Sequence, residues 1–425
     1  MERRQNNSLS NGFNYRSRIF LVLWSVNFLF TFSTNLIPTS RAYLTKAFVG
    51  NVETATMEAL GILLSLGSAA ATIGYFAGGF AADAIGKKKV VILSFTVLAV
   101  GCGLFVIAPN LYGLYLANFV MFFASGFSSP AISALVADCS EQCSRGMAFG
   151  VFNLSWIASG VAAPLLAGYI AQFVNLYMPF MLAVLVSVAG LFAAYLLKGK
   201  NVDKKDKKSH EVKTTSTGTS LGLKRVIIIF SVTNILNGLL NGFINPVLNG
   251  MLLFKLAAAP AEYGLVVSLS SSLVTGLVQV PGGRLADRFG RKPLVLFGFL
   301  GVPLAALLGF SNSLLDFSLI MGGISAVGNI SSPAISAWLM DLIPEHRRAS
   351  VSGITQTLNG VGLTVGPSMG SYVWNATQPD AVIPCGIAAV IFAAAFPFYL
   401  MLKEPQENRS PDQRFAVTYW FGLAH

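Results

Sequence analysis

Apolar runs of about 20 or more residues recur along the whole chain, with short polar connections between them. About 20 such residues carry a helix across a bilayer, where lipid offers the backbone no hydrogen-bond partner and the helix must satisfy its own N–H and C=O groups. The pattern predicts twelve spans, at 19–43, 58–83, 89–108, 111–137, 146–172, 178–198, 224–252, 262–286, 292–311, 314–341, 347–374 and 381–402. Several are longer than a bilayer needs, which implies tilt or extension past the hydrocarbon. The expected fold is an all-α membrane protein of twelve transmembrane helices.

The spans fall into two matching sets. Gly79-Phe80-Ala81-Ala82-Asp83-Ala84-Ile85-Gly86-Lys87-Lys88 is echoed 204 residues later by Gly283-Arg284-Leu285-Ala286-Asp287-Arg288-Phe289-Gly290-Arg291-Lys292. Ser128-Ser129-Pro130-Ala131-Ile132-Ser133-Ala134 recurs without change at 331–337. That offset of 203 also carries Asp138 to Asp341, Arg145 to Arg348, Gly150 to Gly353 and Pro164 to Pro367. Two parallel six-helix repeats are the economical explanation. The expected organisation is a cytoplasmic tail at 1–18, a six-helix bundle at 19–198, a basic linker at 199–223, a second, pseudo-symmetric six-helix bundle at 224–402, and a tail at 403–425.

Charge fixes the orientation. Only 11% of residues are charged and 54% are hydrophobic, against about 25% charged in soluble domains, which excludes a soluble enzyme. A net charge of +11 would suggest nucleic acid as a partner of a soluble chain. Here the basic residues gather in connections on one side. Arg3, Arg4, Arg16, Arg18, Lys87, Lys88, Lys89, Arg145, the 198–225 run, the second charged turn, Arg347, Arg348 and the tail share it. Arg41, Lys46 and Lys255 alone take the other, leaving 26 of the 29 Lys and Arg inside. Lysine and arginine stay in cytoplasmic loops, so both termini are expected in the cytoplasm of a plasma-membrane protein. Lys198–Lys224, rich in Lys, Ser, Thr and Gly, reads as a flexible tether.

Catalytic and metal chemistry find little support. Cys102 and Cys385 fall in apolar helices, where a thiol is a small apolar group, and Cys139 and Cys143 have no nearby histidine to complete a zinc site. The histidines are His210, His346 and His425. There is no Walker loop. No enzyme activity, cofactor, metal or nucleic-acid partner is expected. Met1–Phe13 is polar and shows no cleavable signal peptide.

Twelve spans, the 6+6 repeat, the basic central loop and the doubled Gly-x-x-x-Asp turn resemble the major facilitator superfamily over nearly the whole chain. Gly160-x-x-x-Pro164-x-x-x-Gly168 and Gly362-x-x-x-Gly366-Pro367-x-x-Gly370 resemble its drug-efflux antiporters. The resemblance implies a cytoplasmic gate built from Gly79, Asp83, Gly86, Lys87, Lys88, Arg145, Gly283, Asp287, Arg288, Gly290, Arg291, Lys292 and Arg348. Physical reasoning agrees. Gly79 and Gly283 would let helices approach closely. Gly86 and Gly290 permit a tight turn. Asp83 and Asp287 suit a helix N-terminus, with Arg145 and Arg348 as ionic partners. The basic pairs suit an anionic leaflet. The family's basic residue after the first Asp is Ala84 here, so the Asp287 turn is expected to be the stronger latch. Asp287→Asn is expected to slow flux through reconstituted protein without loss of the fold; normal rates would sink the latch.

Solute sites in such repeats lie near the bilayer midplane, so polar residues inside spans are the candidates. Asn234, Asn237, Asn241 and Asn245 fall on one face of the seventh span, and Asn27, Thr31 and Thr34 on one face of the first, with Asn27 and Asn234 207 residues apart. Pro38 and Pro246 follow, where an unwound turn would act as a hinge. Asn35, Asn118, Asn153, Trp156, Gln279, Asn329, Gln356 and Asn359 complete the candidate cavity. For any one amide, a hydrogen bond between helices is an equal alternative. No charged side chain falls at mid-span; Arg41, Glu58 and Glu262 lie near outer ends and Asp138 and Asp341 near inner ends. In the family's drug antiporters an arginine of the fourth helix belongs to the coupling machinery, and Asn118 stands at the corresponding position. Transport is therefore expected to be facilitative, or coupled through a peripheral group such as Glu58 or Asp138. The expected function is alternating-access transport of a small neutral or amphipathic organic solute, efflux before sugar-like or metabolite uptake, by a monomer in contact with membrane lipid. A non-transporting sensor is the further alternative.

Overall fold

The computed structural model describes residues 18–138, 145–197, 220–342, 348–378 and 380–401. They are helical almost throughout. The elements are α1 (Arg18–Asn35), α2 (Ile37–Phe48), α3 (Glu53–Ile85), α4 (Lys87–Ile107), α5 (Leu111–Asp138), α6 (Arg145–Phe173) and α7 (Met178–Tyr195). There follow α8 (Ser220–Gly250), α9 (Pro260–Val266), α10 (Val274–Phe289), α11 (Arg291–Gly298), α12 (Gly301–Leu308), α13 (Leu314–Leu342), α14 (Arg348–Thr377), α15 (Val382–Ala393) and α16 (Phe396–Leu400). Wider π-helical turns occupy Met251–Lys255 and Val267–Leu273. Among the described residues, 11 helical segments are long and apolar enough to cross a membrane. Helix α14 stands at the eleventh predicted span.

Several predicted spans are pairs of elements, and proline explains the breaks. The first span turns at Leu36, two residues before Pro38. The ninth breaks at Phe299–Leu300, because Pro303 has no N–H for the Phe299 carbonyl; Val302 N–H donates to it instead, at 3.0 Å. The last breaks between Ala393 and Phe396, ahead of Pro397. Pro246 departs from expectation. Helix α8 continues through it to Gly250, and the irregularity is the π turn that follows.

The chain forms two compact units, one of Met1–Leu44 with Ala70–His210, the other of Thr45–Ala69 with Glu211–His425. In the second, the first half of α3 packs on the end of α14. Trp374 Nε1 donates to Glu53 Oε1 at 3.0 Å, Asn375 Nδ2 to the Thr54 carbonyl at 3.0 Å, and the Ser65 and Ser368 hydroxyls meet at 2.9 Å.

Within the first unit, the interior is filled by aromatic rings and small polar contacts. Phe30 meets Phe95 edge-on at 5.2 Å, and Phe105 stacks on Phe180 at 4.9 Å. Gly190 leaves the space the Phe95 ring occupies. The Ser33 hydroxyl bonds Ser187 Oγ at 2.6 Å and the Ala183 carbonyl at 2.8 Å. Cys102 is buried there as a free thiol, as is Cys385 in the second unit.

A charge-free cavity in the second unit

A cavity of about 310 Å³ lies within the second unit, near the lower end of the roughly 300–1,000 Å³ typical of small-molecule pockets. Helix α8 contributes Thr233, Asn237 and Asn241, and α13 contributes Ser325 and Asn329. Ser271 enters from the π turn after α9. Phe299, at the break between α11 and α12, and Phe392 of α15 form part of an apolar wall, and Tyr399 of α16 closes it. No lining residue is charged.

The amides are arranged along α8 by helical spacing. Asn237 and Asn241 are one turn apart, and both are exposed. Asn241 Nδ2 donates to the Asn237 carbonyl at 2.8 Å and to Asn237 Oδ1 at 2.7 Å. Asn329 Nδ2 donates to the Ser325 carbonyl at 2.9 Å. Among the described residues, Asn237 Nδ2 and the side-chain oxygens of Asn241 and Asn329 have no protein hydrogen-bond partner, so both donors and acceptors remain open at the cavity.

The other two asparagines of the α8 stripe are used differently. Asn234 Nδ2 bonds the Phe230 carbonyl at 2.8 Å, while the Asn234 carbonyl accepts from Asn359 Nδ2 on α14 at 3.1 Å. Asn245 accepts from Asn249. Gln279 and Gln356 are not among the lining residues. Sequence reading missed Thr233, Ser271, Ser325 and the aromatic wall; serine and threonine in a span also bond their own backbone, so composition alone does not single them out.

In the first unit the candidate polar residues chiefly join helices. Asn27 Nδ2 donates to Ser155 Oγ at 2.6 Å, Ser159 Oγ to Thr31 Oγ1 at 2.8 Å, and Asn35 Nδ2 to Ser159 Oγ at 3.2 Å, tying α1 to α6. Thr34 bonds the Thr31 carbonyl within its own helix. Asn153 and Trp156 are exposed on α6. Arg41, near the end of the first predicted span, is only 6% exposed; it donates from Nη1 to Asn118 Oδ1 at 2.7 Å and lies over the Phe122 ring. Glu262 caps its own helix by accepting from the Ala259 N–H at 2.8 Å.

The two charged turns share one geometry. Gly86 and Gly290 have φ of 96° and 93°, a conformation that favours glycine. The close helix approach falls one residue before the expected place. A side chain at Gly79 or Gly283 would meet nothing, whereas Gly78 faces the Phe127 backbone and Gly282 the Ile330 backbone. The basic residues cap helix ends as well as facing solvent. Lys88 Nζ donates to the Tyr195 carbonyl and Lys292 Nζ to the Leu400 carbonyl, both at 2.8 Å. Lys87 pairs with Asp138 at 2.6 Å, while Asp83 is exposed. Arg288 lies over the Phe289 ring and Arg291 is half-buried. The side chains of Arg145, Asp287 and Arg348, with Cys139, Cys143 and the linker, lie outside the described residues.

The family profile described as Major Facilitator Superfamily matches residues 23–234 and again 230–423. The chain belongs to the Major Facilitator Superfamily. It is a membrane transporter with the twelve-helix fold of that family. The chain is 24% identical over 388 residues, 88% of its length and 94% of the relative's, to the multi-drug resistance efflux pump PmrA of Streptococcus pneumoniae serotype 4. It is 22% identical over 306 residues, 71% of its length and 76% of the relative's, to Multidrug resistance protein 2 of Bacillus subtilis. A solved D-xylose–proton symporter shares the fold with a TM-score of 0.72 at 15% identity, covering 93% of this chain and 100% of its own.

Proposed function

We propose that this transporter exports a small uncharged or amphipathic organic solute by alternating access, in a plasma membrane with both termini in the cytoplasm. The observation that carries the reading is the charge-free cavity presenting Asn237, Asn241 and Asn329 opposite an aromatic wall. Burying an unpaired charge there costs several kcal/mol, whereas an amide or hydroxyl of the solute finds partners. The multidrug relatives support export. The symporter of similar fold supports uptake of a neutral sugar-like solute as the second reading, which the same cavity would serve. The doubled charged turns, with Asp287 and Arg348 opposed at the second, would act as the cytoplasmic gate, and 199–223 as the tether between bundles. The in-span amides of the first unit would line the rest of the pathway.

Flux of neutral amphiphiles in proteoliposomes, with and without a pH gradient, tests this. Export of neutral but not permanently charged solutes is expected. Acceleration by the gradient would assign proton coupling, and equal rates would assign facilitative transport. Absence of flux for every neutral solute tried overturns the reading.

A further inference from the structure

The repeat relates two rings of the first unit to residues that line this cavity. Asn27 and Asn234 share a register, and the same offset sets Asn237 at the place of Phe30. The offset between the charged turns likewise sets Phe299 at the place of Phe95. In the first unit both rings are buried, at 3% and 0% exposure, and they meet edge-on. In the second, the short Asn237 amide offers no ring to pack on. Phe299 turns instead toward Phe392 at 5.3 Å, Phe396 at 5.1 Å and Tyr399 at 5.9 Å. Phe299 stands in the short turn between α11 and α12, ahead of Pro303, with φ of −73° and ψ of −6°. Both changes withdraw aromatic volume from the region between α8 and α11.

We propose that this cavity is a self-contained binding pocket for an uncharged aryl amide, with the ligand ring taking the place that Phe30 fills in the first repeat and its amide aligned on Asn237, Asn241 and Asn329. The proposal rests on, and narrows, the reading of the chain as a carrier of neutral or amphipathic solutes. The ring has an aromatic wall in Phe299 and Phe392, where edge-to-face contact adds to burial. The amide meets a donor on Asn237 and an acceptor on Asn241, one turn apart on α8, and a second acceptor on Asn329 of α13. A fixed charge finds no counter-ion in the lining. Every wall belongs to the second unit, so the pocket is complete without a residue from the first.

Three isosteric photoprobes test the pocket: 4-benzoylbenzamide (neutral), 4-benzoylbenzoate (anionic) and 4-benzoylbenzamidine (cationic). Each is irradiated with the purified full-length protein, and the adducts are mapped by mass spectrometry. The neutral probe is expected to label peptides of α8, α13 and α15, with about tenfold weaker labelling by either charged probe. Asn237→Phe, which restores the ring of the first repeat, is expected to cut the neutral labelling about tenfold without lowering the melting temperature. If that variant does not fold, Asn241→Leu removes a polar partner at nearly constant volume and is expected to weaken labelling as well. Neutral labelling unchanged in the folded variant, or equal labelling by all three probes, overturns the pocket. Transport that persists while labelling ignores Asn237→Phe defeats the pocket and leaves the transport reading intact. Labelling as expected with no flux of any solute does the reverse.

Discussion

The third and sixth spans of each repeat show how far two copies of one design have diverged. In the first unit α4 runs unbroken for 21 residues and α7 for 18. Their counterparts in the second unit are each cut in two, at Phe299–Leu300 and between Ala393 and Phe396, ahead of Pro303 and Pro397. Two π turns lie in the same unit. The regular unit has its interior closed by Phe30 on Phe95 and by the Ser33–Ser187 contact. The interrupted unit contains the cavity. Regular helices present side chains in fixed rows that interdigitate; a break releases one row, and space remains wherever no neighbour follows. The breaks and the cavity thus fall in the same copy of a duplicated sequence.

The largest effect is expected from exchanging the residues that define this difference. Phe30→Asn opens a void and buries an amide, and should cost about 3–5 kcal/mol, read as a fall in the melting temperature of purified protein. Asn237→Phe should leave that temperature unchanged or raise it. Equal losses from both would erase the distinction between the units. Next comes glycine in the two sixth spans. Gly190→Ala drives a methyl group into the Phe95 ring and should cost about 1–3 kcal/mol. Gly386→Ala has nothing within 4 Å and should stabilise by about 0.4–1 kcal/mol through the unfolded chain. Denaturant titration of both variants separates these signs. The smallest contrast concerns the amides. Asn27→Ala removes a bond between α1 and α6 and should lose about 1 kcal/mol of stability. Asn241→Ala should leave the denaturation midpoint within about 0.5 kcal/mol and reduce solute binding. A stability loss confined to Asn241→Ala would reverse the assignment.

The membrane architecture was legible because hydrophobicity and repetition are properties of the sequence itself. The seven-residue identity at 128 and 331 and the two charged turns marked the repeat, and Gly86 and Gly290 adopt the positive φ that their place in a tight turn suggested. Contacts were less legible, because they depend on the helix across the way. Gly78 and Gly79 are equivalent to a reader of sequence, yet only Gly78 faces the Phe127 backbone. The stripe of four asparagines on α8 is a true helical face, but the Asn234 amide bonds the Phe230 carbonyl of its own helix, and of the four Asn237 and Asn241 line the cavity. Arg41 and Asn118 were each picked out in the sequence, but not as the pair that the hydrogen bond between them makes. The polar part of the cavity was marked by Asn237, Asn241 and Asn329, while its aromatic part had no local mark, since Phe299 and Phe392 are ordinary apolar residues of a span.

The lysine caps have a consequence for how the chain is made. Lys88 is bonded to a carbonyl 107 residues further along, and Lys292 to one 108 residues further along. At about 5–20 residues per second of synthesis, each ammonium waits roughly 5–20 seconds for its acceptor to be translated. Water or lipid phosphate must hold it meanwhile, and arrival of the sixth span then fastens the third from within the same half. Each bundle thus carries its own closing step, timed by the ribosome, and the first can be fastened before the second has begun to enter the membrane.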